Sequence, residues 1–291
     1  MPIYCSSTLR MTPTDSTGSF PADTEGAIYY DDSESLLKHY DGSSWITLNL
    51  PNIVTDGLVL SLDAGDRISY IGSGATWTDL SGNGLNGTIY GPTFDSGNGG
   101  SLIFDGTDDY ITCAANSYWA LGDTSWTIDA WLKPETSTDH TVLAGAGGAG
   151  PEYWSSNLGS DNTAGFSWKL AGGTGFSTGS YTNGSWVHYV VTVNRAEGSD
   201  GTWRLYLNGS NVVELPGGVP HSTGDDSGNT NIAGGEGGSD LLYIGAGRYN
   251  NDWHGSRFLS GSLASVKFYN KNVSAVEVLQ NFNAHRHRFG M

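Results

Sequence analysis

The chain has 291 residues, and 30 Asp and Glu against 13 Lys and Arg leave a formal net charge of −17. A field of that sign repels nucleic acid and anionic membrane surfaces, so neither is expected as a partner. The 43 glycines, 15 tyrosines and 10 tryptophans, beside only 15% charged residues, describe short strands joined by glycine turns and exclude a helical protein.

Residues 1 to 25 are polar, carry Pro13 and Pro21, and read as an extended arm. The opening "MPIYCSSTLRMTPTDS" has no charged and apolar leader, and no apolar run approaches the roughly 18 residues that cross a bilayer. The expectation is a protein made in a reducing cytoplasm without a signal peptide, and Cys5 and Cys113 are too few and too isolated for a disulfide framework. In "GAIYYDDSESLLKHYDGSSW", residues 26 to 45, Ile28, Tyr29 and Tyr30 and then Leu37 and Tyr40 flank a five-residue connection, and "DGSSW" turns into Trp45. These spacings predict a three-stranded meander too small to stand alone, so residues 1–48 read as an attachment and oligomerisation segment. Residues 49–57 read as a linker.

From Leu58 a rhythm of strands and glycine turns continues almost to the end, and about eleven strands pass a period-two test. In "WTIDAWLK" Trp126, Ile128, Ala130 and Leu132 share one face while Thr127, Asp129, Trp131 and Lys133 share the other. Trp186 to Asn194 and "SGSLASVKFYN" alternate in the same way, and Asn208-Gly209 predicts a type I′ hairpin turn. Trp126, Trp186 and Trp203 begin alternating strands and are expected in the core. Two glycine-rich stretches, 143–165 and 216–240, are expected as surface loops. Ser274 with Glu277 forms a capping box ahead of Ala275, Val278, Leu279 and Phe282, which predicts one short helix over 275–284. The basic tail 286–291 is expected to be solvated, with His285 and His287 favouring the helix C-terminus.

The ordered pieces "GLVLSLDAG", "WTDLSGNGLNGTI", "SLIFDGTDDYI", "WTIDAWLKP", "WVHYVVTVN", "LYLNGSNV", "YIGAG" and "LSGSLASVKFYNKNVSAVEVLQNFNA" resemble the laminin G-like members of the concanavalin A-like lectin and glucanase superfamily. The resemblance implies an all-β fold: a two-sheet antiparallel jelly-roll sandwich over 58–285, preceded by the N-terminal β-meander arm and closed by the helix. The start "LVLSLDAGD" and the ending "NAHRHRFG" look most like versions in tailed-phage virion proteins, and residues 26–45 resemble the short modules that join a phage particle to a distal domain.

Three chemistries follow as expectations. Laminin G-like domains often hold Ca²⁺ in oxygen-lined loops; Asp79, Asn83 and Asn86 in "DLSGNGLNG", with Asp63 and Asp66 nearby, offer such oxygens, and Asp108 and Asp109 form a second cluster. The same Asp and Asn residues equally suit plain turns. Glycan sites pair an aromatic platform with polar groups, and Tyr153 with Trp154, or Tyr249, Asn250, Asp252, Trp253 and His254, fit that recipe; rings packed beneath loops or in a subunit interface are the competing reading. The glucanase pattern Glu-x-Asp-x-x-Glu is absent, since no two of the eight glutamates lie five apart, so the chain reads as non-enzymatic. The alternatives are a polysaccharide-active enzyme using Asp129 and Asp252, or a bacterial surface adhesin. The expected protein is a phage virion component, a capsid decoration, head-fibre or tail-associated subunit at the virion surface. It would form a homotrimer, contact other virion proteins through its arm, and display a lectin-like domain toward host-surface polysaccharide or reinforce the particle.

Overall fold

The computed structural model describes residues 28–31, 36–40, 42–43, 45–47, 52–119, 124–135, 140–146, 153–158, 163–169, 175–197, 201–216, 241–246, 248–249, 252–253 and 258–291. The chain divides into two units, Met1–Asn52 and Ile53–Met291. The first contains an antiparallel sheet of β1 (Ile28–Asp31), β2 (Leu36–Tyr40) and β3 (Trp45–Thr47). Its register pairs Tyr30 with Leu37, Tyr29 with Lys38, and Tyr40 with Trp45. By strand alternation Ile28, Tyr30 and Leu37 therefore fall on one face and Tyr29, Tyr40 and Trp45 on the other.

The second unit is a sandwich of two antiparallel eight-stranded sheets. The first sheet runs β17 (Ser210–Pro216), β16 (Thr202–Leu207), β15 (Val187–Asn194), β10 (Trp126–Pro134), β21 (Ser260–Tyr269), β8 (Ser101–Asp105) and β7 (Thr93–Asp95), and β4 (Leu58–Asp63) also pairs with β21. The second runs β14 (Gly175–Ser180), β13 (Thr163–Lys169), β12 (Tyr153–Leu158), β11 (His140–Ala146), β18 (Leu241–Ile244), β9 (Tyr110–Cys113), β6 (Gly87–Tyr90) and β5 (Thr76–Trp77). A separate two-stranded ribbon joins β19 (Arg248–Tyr249) to β20 (Asp252–Trp253). Inward-facing residues of both sheets, among them Leu62, Phe104, Ile111, Ile128, Val191 and Ile244, form one continuous core. Asn208 and Gly209 take φ of 52° and 77°, the two positive angles that a type I′ turn between β16 and β17 needs.

Helix α1 (Ala275–His285) has the full capping box, with Ser274 Oγ accepting from the Glu277 amide and the Glu277 carboxylate accepting from the Ser274 amide. It packs on the outer face of the first sheet, which changes the reading of β10. The strand alternates as expected, yet Thr127, Asp129 and Trp131 are buried as completely as the core positions opposite them. Trp131 stacks on Phe282 of the helix and on Phe289 beyond it, at ring separations of 5.6 and 4.2 Å. Asp129 lies under the helix with Asn281 Nδ2 donating to Oδ2 at 2.9 Å, His188 Nε2 3.2 Å from Oδ2, and Lys267 Nζ 3.4 Å from Oδ1. Asn281 also accepts from the Val54 amide and donates to Tyr269 Oη, which donates to the Val54 carbonyl.

Three segments differ from the sequence expectation. The span 49–57 is not only a linker, because Val54 is buried and held by Asn281 and Tyr269. The tail 286–291 is solvated only in part: Arg286 and His287 are exposed, but Arg288 and Phe289 are not. Arg288 Nη1 donates to both carboxylate oxygens of Asp63 at 2.9 Å while its other nitrogens reach the Asn98 and Gly100 carbonyls, and Phe289 is buried against Trp131 and Trp186. Burial and the neighbouring Lys267 and Arg288 cations push the His285 imidazole down to about 2, so it carries no charge toward the helix terminus at neutral pH. The stretch 143–165 contributes β12 and parts of β11 and β13 rather than one loop; its Gly, Ser and Asn content hides strands whose backbone pairs regularly. Residues 217–240, the bulk of the second expected loop, lie outside the described residues.

Burial alone would raise the Asp129 carboxyl, but the Lys267 ammonium, the adjacent His188 imidazole and the hydrogen bond from Asn281 outweigh it and hold the group well below the usual carboxylate range. A depressed folded-state value contributes stability above the unfolded carboxyl range, lost as the pH falls through the folded value. Asp129→Ala leaves Lys267 buried without its counter-charge, and urea unfolding at neutral pH is expected to show a loss of about 3–5 kcal/mol. A loss below about 1 kcal/mol would contradict this account of the helix-covered face.

Candidate functional site

The outer face of the second sheet carries aromatic side chains, and among the described residues no helix packs on it. On β9, Ile111 and Cys113 turn into the core while Tyr110 and Thr112 point outward; on β6, Gly87 and Ile89 turn inward while Thr88 and Tyr90 point outward. Tyr90 and Tyr110 are direct cross-strand partners, and their rings stack with centroids 4.7 Å apart and planes 18° apart. Tyr243 on β18 pairs with Thr112 and is the diagonal neighbour of Tyr110, with ring centroids 6.4 Å apart. Tyr110, Tyr243 and Leu241 form a small apolar cluster separate from the sandwich core.

Tyr243 is buried, Tyr110 is half-buried, and Tyr90 is 45% exposed. The reason for that gradient lies in the sequence. β5 ends its pairing with β6 at Thr76 opposite Thr88, and the Ile89 amide donates to the Ala75 carbonyl, so continuing the register sets Gly74 beside Tyr90. A side chain at Gly74 would meet nothing within 4 Å. Among the described residues, the space at Gly74, next to Tyr90 in the continued register, is open. An accessible tyrosine ring backed by a second one is a rigid stacking platform for the C–H face of a sugar.

At the end of β8 and in the turn into β9, Asp105, Asp108 and Asp109 have nearest carboxylate oxygens that all lie within 4.8 Å of one another. Asp109 Oδ2 accepts from the Asp105 amide, and Asp105 Oδ1 accepts from the Thr107 and Asp108 amides. Gly91, which follows Tyr90, takes φ of 95°, and any side chain there would overlap the Asp109 carboxylate. Burial, assisted by the Asp105 and Asp108 charges, raises the Asp109 carboxyl above its ordinary value. Asp105 and Asp108 are exposed.

The other expected site residues fall elsewhere. Asp79 Oδ1 accepts from the Ser61 and Ser81 amides and Oδ2 from Ser81 Oγ and the Leu85 amide. Asn86 Oδ1 accepts from the Asp79 amide, and Asn83 Nδ2 donates to the Val59 carbonyl. Asp63 is committed to Arg288 and the Gly65 amide, and Asp66 accepts from the Ile68 amide. In this structure the oxygens of Asp79 and Asp63 are engaged by protein donors, while Asp66 uses only Oδ1. Asp79, Asn83 and Asn86 build the loop of the β5–β6 hairpin and tie it to β4, and Asp63 and Asp66 build the turn that leaves β4.

Tyr153 and Trp154 lie on β12, where Tyr153 pairs with Ala146, itself paired with Leu241, and Trp154 pairs with Gly145 and Trp168. Register thus places Tyr153 on the same outer face as Leu241 and Tyr243. Tyr249 pairs with Asp252 and Arg248 with Trp253 across the β19–β20 ribbon, while Asn250 and His254 lie outside the described residues. Asp129 is sealed under α1, out of reach of a polymer. The Tyr90–Tyr110–Tyr243 group was not anticipated; the outward positions in "GTIY", "YITC" and "LLYI" are legible, but not that β6, β9 and β18 are neighbours.

A family profile described as "Concanavalin A-like lectin/glucanases superfamily" (Laminin_G_3) matches residues 105–279. No match is found among curated proteins. Among solved structures, the binding domain of Paraclostridial Mosquitocidal Protein 1 aligns with a TM-score of 0.55 at 17% identity, covering 79% of this chain and 52% of that one. Domain 4 of AbnA, an extracellular arabinanase from Geobacillus stearothermophilus solved with arabinotriose, aligns at 0.55 and 16% identity, covering 77% and 97%. A structure of botulinum neurotoxin type C, whose cell entry depends on interaction with two ganglioside molecules, aligns at 0.55 and 17% identity, covering 79% and 52%. The chain thus spans about half the length of the two toxin chains and nearly all of the arabinanase domain. At these identities the likeness is one of fold.

Proposed function

The chain belongs to the concanavalin A-like lectin/glucanase superfamily, and from that premise we propose that it is a glycan-binding protein whose working surface is the outer face of the second sheet around Tyr90 and Tyr110. The observation that carries the reading is the stacked tyrosine pair with, among the described residues, open space at Gly74 next to Tyr90. A ring held parallel by a partner loses little freedom when a sugar stacks on it. The arabinotriose and ganglioside named for relatives of the fold are in keeping with a saccharide ligand. No acid/base pair is found among the described residues of this face other than the three adjacent aspartates, and binding without turnover is the reading we adopt.

The finer reading is a phage virion subunit, displayed at the particle surface, with its N-terminal segment as the joint. Both faces of the β1–β3 sheet carry apolar or aromatic residues, more than a three-stranded sheet can cover alone. Identical chains that bury those faces against one another would form the trimer we propose, and a trimer multiplies a weak single-site affinity into avidity.

Two measurements test these readings. In affinity electrophoresis through gels containing neutral polysaccharides, arabinan among them, the intact protein is expected to be retarded, and Tyr90→Ala to weaken the best interaction by roughly tenfold, the loss of one stacking contact of about 1.5 kcal/mol; unchanged retardation would remove the tyrosine face from the account. Sedimentation of the full chain at micromolar concentration is expected to give three copies, and a monomer would contradict the oligomeric reading.

A further inference from the structure

Residues 275–291 lie on the first sheet as a separate layer. Val278, Phe282 and Phe289, through which α1 and the residues after it pack, belong to two small apolar clusters that share no member with the sandwich core. The segment contributes no strand to either sheet, so it can lift without breaking a strand pairing. Beneath it, Asp129 and Asp63 balance Lys267 and Arg288, two carboxylates against two cations. That balance has nothing to spare. Lys267 Nζ reaches Asp129 Oδ1 only at 3.4 Å and Ser265 Oγ at 3.5 Å, while both oxygens of Asp63 are taken by Arg288 Nη1. His285, the last residue of α1, closes over this group. It is largely buried and faces Asp63 on β4, Lys267 on β21, Asp129 on β10, His188 on β15, and Arg288 in the turn after the helix. Its Nε2 stands 3.7 Å from Asp63 Oδ2, beyond hydrogen-bond reach, and its buried Nδ1 has no hydrogen-bond partner among the described residues.

We infer that residues 275–291 are an acid-released cover: uptake of one proton at His285 frees the helix and the residues after it from the first sheet, leaves the sandwich beneath folded, and bares Trp131 and Tyr269. A proton on His285 in the closed state would find no acceptor and no uncommitted counter-charge. It would make a third cation against two carboxylates in a layer removed from water. Burial and the Lys267 and Arg288 charges accordingly hold the closed imidazole far below its ordinary range, whereas the released segment takes the proton near pH 6.5 or so, roughly the free imidazole value. Because the closed value lies below the free one, the cover is at full strength above that pH. It weakens as the pH falls, by up to about tenfold per unit. Asp129, held below the usual carboxylate range, stays ionised through this window and adds nothing to the change.

The experiment is hydrogen–deuterium exchange of the full chain between about pH 7.5 and 5, with rates corrected for the intrinsic pH dependence of amide exchange. Protection of the α1 amides is expected to fall by roughly thirtyfold at the acid end, about one and a half units below the free imidazole value, while the amides of Ile128 and Val191 in the core strands keep theirs. In His285→Gln, which cannot take the proton, α1 protection is expected to vary by less than about threefold over the same range. Helix protection unmoved by acid in the unaltered protein, loss of the β10 and β15 amides together with the helix, or an acid response retained in His285→Gln would each overturn the inference. A His285→Gln chain whose helix is already unprotected at neutral pH leaves the decision to the unaltered protein's own profile, where a slope of about one proton supports the cover and a flat profile overturns it.

Discussion

A fully buried carboxylate organises this protein. Asp129 sits at the middle of β10, and its partners come from the two neighbouring strands and the only α-helix among the described residues: His188 on β15, Lys267 on β21 and Asn281 on α1. Isolated in an apolar layer, any of these groups would carry a large desolvation cost, so the arrangement persists only when all are present together. Asn281 extends the network to Tyr269 and Val54, fastening the segment that enters the sandwich to the helix that leaves it. Arg288 on Asp63 and the Phe289–Trp131 stack complete the closure, so the outer face of the first sheet is covered from both ends of the domain.

That covering makes the two outer faces of the sandwich different in kind. One is sealed by a helix and by aromatic rings that stack on β10; the other presents tyrosines whose exposure increases from Tyr243 through Tyr110 to Tyr90. The loops between the sheets spend their acidic residues on themselves. Asp79 accepts four hydrogen bonds, Asp63 holds a guanidinium, and Asp105 and Asp109 accept backbone amides in the turn between β8 and β9.

Much of the fold was legible in the residues. Period two identified β10, β15 and β21, Asn208-Gly209 identified the β16–β17 turn, and Ser274 with Glu277 identified the start of α1. Alternation reports which residues share a face, and it cannot report whether the second face meets water or a helix; Thr127, Asp129 and Trp131 were for that reason open to reading as surface. Strands such as "YWSSNL" and "TAGFSWK" carry too few β-branched residues to stand out, and only pairing with β11 reveals them. The tyrosine face was invisible for a related reason. Tyr90, Tyr110 and Tyr243 are up to 153 positions apart, and sheet order, which brings β6, β9 and β18 together, is not written in any one segment.

The central claim is that the second sheet, not the helix-covered first, is the working face. Hydroxyl-radical footprinting by mass spectrometry, with and without saturating arabino-oligosaccharide, tests it directly, because both sides carry accessible reporters: Tyr90 on one, and Val276, Leu279 and Met291 at the helix and the chain end on the other. The account predicts that saccharide lowers oxidation at Tyr90 and Tyr110 and leaves Val276, Leu279 and Met291 unchanged. Protection of the helix residues with Tyr90 oxidised as in the free protein would contradict it.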